Sequence, residues 1–170
     1  MSKFDEIRQA YVNARKNFFD QRDASAVFAL SLIEGMERYL ECPPYQIHFL
    51  THTHQATAAA AHDAKGAVMF GNDGLWHFNI GMELVDNVDG FHKNAARQTL
   101  AFELLVQPDG TGFSVGFKGW TDRFILPATG ESPERTRFYD FWFKHIIDSY
   151  LQSGHRFFED MADSDRTVSA

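Results

Sequence analysis

Residues 75–85 read LWHFNIGMELV. Trp76, Phe78, Ile80, Met82 and Leu84 alternate with His77, Asn79, Gly81 and Glu83. A period of two sorts side chains onto the two faces of a strand, here one apolar and one polar. The same alternation returns downstream. In TLAFELLVQ (99–107), Leu100, Phe102, Leu104 and Val106 alternate with Ala101, Glu103 and Leu105. In GFSVGFKGW (112–120), Phe113, Val115 and Phe117 alternate with Ser114, Gly116 and Lys118. One packed face and one wetter face is the pattern of an antiparallel sheet. FGNDGL (70–75) and QPDGTG (107–112) carry Asp-Gly steps, which tolerate the positive φ of hairpin turns. They predict hairpins joining 67–71 to 75–85 and 97–107 to 112–118.

Outside these strands the period becomes helical. Phe4, Ile7, Tyr11, Ala14 and Phe18 recur at spacings of three and four, a single apolar stripe on a helix over about 3–19. DQRDAS (20–25) interrupts the stripe, and Asp23 or Ser25 is placed to cap a second helix. That helix ends near Cys42, because Pro43 and Pro44 bias the residues before them away from helix. At the other end, Ser132 fits an N-cap, Pro133 the first helical position, and Glu131 and Glu134 the positive dipole end of a last helix. Gly154 is its expected stop. Helices, then strands, then a helix predict an α+β fold: an antiparallel β-sheet with N-terminal helices and a C-terminal helix packed on one face. The expected organisation is one domain over residues 1–162 and a flexible tail over 163–170.

The last helix is more apolar than one buried face requires. Tyr139, Trp142, Phe143, Ile146 and Tyr150 form a stripe expected to meet the sheet, which leaves Phe138, Phe141 and Leu151 on a flank. Surplus apolar surface of this kind marks interfaces. The expectation is a homodimer through the C-terminal helix.

Half of the eight histidines fall within residues 45–63: His48, His52, His54 and His62. If 46–54 is a strand, Ile47 and Phe49 face the core while His48, His52 and His54 share the wetter face with His77, Asn79, Glu83 and Glu103. Two readings follow. In the first, His52 and His54, roughly 6.6 Å apart along a strand, converge on one ion. His77, or else Glu83 or Glu103, supplies a third ligand. The metal is then zinc or another divalent transition metal, and an open position holds an activated water, so the chain is a metal-dependent enzyme. In the second, these histidines are the polar side of a half-exposed strand and hold no metal. The second is the simpler expectation.

Composition excludes other classes. A formal net charge of −7 and no cluster of Lys and Arg argue against nucleic-acid binding. A single cysteine, Cys42, rules out an intramolecular disulfide and a multi-cysteine zinc site. The charged, amphipathic N-terminus is not a secretory signal, and no apolar run is long enough to span a membrane, so the expected location is cytoplasmic. No phosphate-binding glycine loop and no nucleophile elbow is present, and DNVDG (86–90) lacks the ligand register of a calcium loop. The functional expectation is a non-enzymatic, acidic binding, adaptor or regulatory module acting through protein or small-molecule contacts.

Overall fold

The computed structural model describes residues 2–51, 64–85 and 97–166, with side chains except at 85, 97 and 152–166. Its elements are α1 (Lys3–Leu40), β1 (Ile47–Phe49), α2 (Ala64–Ala67), β2 (Val68–Phe70), β3 (Trp76–Val85), β4 (Arg97–Asp109), β5 (Gly112–Phe117), β6 (Arg123–Pro127) and α3 (Pro133–Arg166). The six strands form one antiparallel sheet in the order β1-β3-β4-β5-β6, with β2 also on β3. β1 pairs with residues 80–82 of β3, and β2 pairs with residues 76–78. Since β4 occupies the other edge of β3 throughout, β1 and β2 are two halves of one edge strand. Both expected hairpins are present, at β2–β3 and β4–β5. Gly74 and Gly110 adopt the left-handed φ that their turns need.

The alternation read from 75–85 sets the packed face. Phe78 pairs with Leu104 and Ile80 with Phe102, while Leu104 pairs with Phe117 and Val115 with Phe124. These residues meet Phe28, Leu32 and Met36 of α1 and Phe138 and Trp142 of α3 in one core. Both long helices therefore cover the same face of the sheet, and the fold is the expected α+β class.

Four local expectations are corrected. First, α1 is one helix, with no break at 20–25. None of DQRDAS is Gly or Pro, so nothing there forbids helical backbone. Asp23 does not cap; its carboxylate accepts from Arg22 and from Lys65 instead. Second, α3 runs through Gly154 to Arg166. A glycine in a helix interior costs only about 1 kcal/mol. Third, Phe138 and Phe141 are not a free flank. Phe138 is 0% exposed and stacks on Phe117 at 5.6 Å between ring centroids. Phe141 packs on Trp120 and Phe124. The helix is rotated so that Phe143, expected in the core stripe, is 42% exposed, and Tyr150 lies at the surface with it. β6, which the sequence reading lacked, supplies the Phe124 that draws the helix round. Fourth, the stripe on the first half of α1 meets the body only at Phe18: Phe4, Ile7 and Tyr11 are all largely exposed.

Candidate functional site

The outer face of the sheet gathers the polar residues that the alternation placed there. His48 sits opposite Gly81, on the reverse of Ile47 and Phe49, as the strand reading expects. His77 and Asn79 follow on β3. This face is drier than expected, since His48, His77 and Asn79 are all buried. Gly81 makes room for the His48 ring, because a Cβ there would lie 3.1 Å from its Nε2. That Nε2 is buried without a hydrogen-bond partner.

His77 is held from both sides. The register pairs it with Leu105 and places Glu103 diagonally across, opposite Asn79. Glu103 Oε1 lies 2.6 Å from Nδ1, and the Asp73 carboxylate, in the β2–β3 turn, lies 2.9 and 3.1 Å from Nε2. Carboxylates only accept, so the form that satisfies both contacts is the protonated ring, with both nitrogens donating. Burial opposes that charge, but the hydrogen bonds and negative charge of Asp73 and Glu103 outweigh it and raise the pKa above its ordinary 6.5. Burial likewise opposes the charge on Glu103, and hydrogen bonds from Lys118 and His77 overcome it and lower its pKa. Lys118 Nζ donates to Glu103 Oε2 at 2.8 Å. In this form the ring has no lone pair to offer a metal or a substrate proton. The network pins the β2–β3 turn to β4 and β5. Of the three residues of the metal reading, His77 is placed here; His52 and His54 lie outside the described residues, so the arrangement of all three is not defined. The calcium-loop sequence 86–90 also lies outside them.

The helices present a different kind of site. Nearly every side chain from residue 3 to 17 of α1 is exposed, a stretch about 22 Å long. Ser2 and Asp5 close a capping box at its start. Its apolar stripe runs Phe4, Ile7, Tyr11 before Phe18 reaches the body, against Phe70 and Trp76. Arg8 and Arg15 flank the stripe, and residues 3–17 carry four basic and two acidic side chains in an acidic chain. On α3, Phe143, Ile147 and Leu151 form a second exposed stripe at spacings of four. It is bordered by Asp140 and Asp148 and by Lys144. Two amphipathic helix faces, one edged with two arginines and one with two aspartates and a lysine, thus stand largely exposed among the described residues. The sequence reading named the α1 stripe but not the α3 one: it placed Phe143 in the core stripe and Leu151 on a flank, and Ile147 in neither.

No protein-family model, curated protein or solved structure matches this chain. No described helix is long and apolar enough to cross a membrane.

Proposed function

We propose that this protein is a non-enzymatic binding module that works through protein contacts, and that its first partner is a second copy of itself. The supporting observation is the pair of uncovered apolar stripes, Phe4–Ile7–Tyr11 on α1 and Phe143–Ile147–Leu151 on α3. Residues 3–17 are nearly all exposed among the described residues, and most helical stability in proteins comes from packing an amphipathic face, so this stretch gains by covering its stripe. Each large side chain buried contributes about 1.5–3 kcal/mol, so three on each side are enough to matter. The arginines and aspartates favour the crossed pairing. Two α1 stripes together would set Arg8 and Arg15 against their own copies, whereas an α1 stripe on the α3 stripe of the partner sets them against Asp140 and Asp148. A two-fold axis repeats that contact, giving a closed dimer with two arms exchanged.

Light scattering coupled to gel filtration tests the reading. Wild type is expected at twice the chain mass across micromolar concentrations, and Ile7→Asp at the chain mass with unchanged circular dichroism from the sheet. A wild-type monomer throughout that range contradicts it.

A further inference from the structure

The end of α1, the loop before α3 and the start of α3 border a partly open cavity of about 180 Å³. Gly35, Arg38 and Tyr39 of α1 line one side; Ser132, Arg135 and Tyr139, around the start of α3, line the other. Gly35 is required for the close approach of the two helices, because a Cβ there would sit 2.0 Å from the Tyr139 hydroxyl. The cavity holds the volume of about six liquid waters. It is below the roughly 300 Å³ at which pockets for larger organic ligands begin.

Arg135 is 5% exposed and carries its charge into this corner. Its terminal nitrogens donate to Ser31 Oγ at 3.1 and 3.2 Å and to the carbonyl oxygens of Pro127 at 3.1 Å and Ala128 at 3.2 Å. Below it lies the Phe28 ring, 5.3 Å from the guanidinium carbon. All of these partners are neutral. No carboxylate of the described residues pairs with Arg135. Its Nε is buried without any hydrogen-bond partner. A buried guanidinium without a counter-charge is costly, by several kcal/mol. The positive end of the α3 dipole adds to the same field, with Ser132 capping the Arg135 amide at 3.2 Å. At the mouth, Arg38 reaches Glu131 at 3.3 Å, and both side chains are mostly in solvent.

We propose that this cavity binds a small oxyanion of phosphate size, held between Arg38 and Arg135, with the Tyr139 hydroxyl as a further donor. The Glu131 carboxylate stands in for the anion at Arg38 and must yield to it. Two arginines and a helix N-terminus suit a tetrahedral oxyanion. The small volume suits a compact anion. The site is separate from the helical stripes and stands whether or not the protein dimerises.

The test is titration of the intact protein with inorganic phosphate, followed by calorimetry and by phosphorus NMR line width, at ionic strength fixed with chloride. Wild type should bind saturably at millimolar concentration or below, and sulfate should displace the phosphate. Arg38→Gln should weaken binding about tenfold, the value of one charge-assisted hydrogen bond. Glu131→Gln should tighten it several-fold, because the competing carboxylate is gone. Arg135→Met should abolish binding. Arg135 also ties the corner together, so if that variant fails to fold, the two substitutions at the mouth decide the question. No saturable binding to wild type, or equal affinity in wild type, Arg38→Gln and Glu131→Gln, overturns the proposal.

Discussion

Phe138→Ala and Phe143→Ala place the same truncation on one helix, five residues apart, and the structure separates their costs. Phe138 is 0% exposed and Phe143 is 42% exposed. Removing the Phe138 ring loses about 1.5–3 kcal/mol of apolar burial. It also loses the stack on Phe117 and the edge contact on Phe124. Such aromatic pairs add about 0.5–1.5 kcal/mol beyond their area. Phe117 and Trp142 are themselves fixed by further ring contacts, so the space left cannot easily collapse. The expected cost is about 3–5 kcal/mol, typical of a buried phenylalanine. Phe143→Ala should cost about 1 kcal/mol or less in the monomer. Both belong in an Ile7→Asp background, where the proposed association does not contribute to the measured stability. Urea denaturation followed by tryptophan fluorescence gives the two values at constant slope. A cost below about 1 kcal/mol at Phe138, with the larger loss at Phe143, would mean that the helix faces the sheet as the sequence periodicity alone suggests.

His77→Gln should destabilise in a definite pH window. The raised pKa of His77 contributes stability that is complete below its ordinary 6.5 and fades as pH rises through the folded value. The lowered pKa of Glu103 contributes stability that is complete above its ordinary 4.5 and fades as pH falls. Urea melts should therefore show the largest gap between wild type and variant at mildly acidic pH; a gap that widens above neutrality refutes the ion-pair account. Gly35→Ala forces a Cβ within 2.0 Å of the Tyr139 hydroxyl. It should cost about 1–3 kcal/mol by overpacking, with partial rescue by Tyr139→Phe, and a change within about 0.5 kcal/mol would show the two helices are further apart.

The sheet was legible where strands are long. Ten residues of β3 and thirteen of β4 give several turns of the two-residue period, which local reading detects. β1 and β2, at three residues each, lie inside the expected strands 46–54 and 67–71, whereas β6 was missed because the outward Ile125 hides the alternation of Phe124 and Leu126. Of the expected α3 stripe, Tyr139, Trp142 and Ile146 are buried, while Phe138 takes the place of Phe143 and Tyr150 by packing on Phe117 and Phe124. In the sites, His77 and Glu103 were readable as same-face neighbours, but their contact needed the register, since they meet on a diagonal. Asp73 was read only as a turn residue. The cavity had no sequence signal at all, because Arg38 and Arg135 come from helices at opposite ends of the chain and meet only through packing.

Whether α1 of one copy covers α3 of another can be read from a mixture of two variants in the analytical ultracentrifuge. Ile7→Asp spoils the α1 stripe and leaves the α3 stripe intact; Ile147→Asp does the reverse. Each alone should sediment as a monomer. Mixed in equal amounts, they retain one good stripe of each kind, and a heterodimer weaker than the wild-type dimer is expected. Stripes that pair like with like would instead let one variant dimerise alone, and stripes that associate with nothing would leave the mixture monomeric; either result contradicts the exchange of arms.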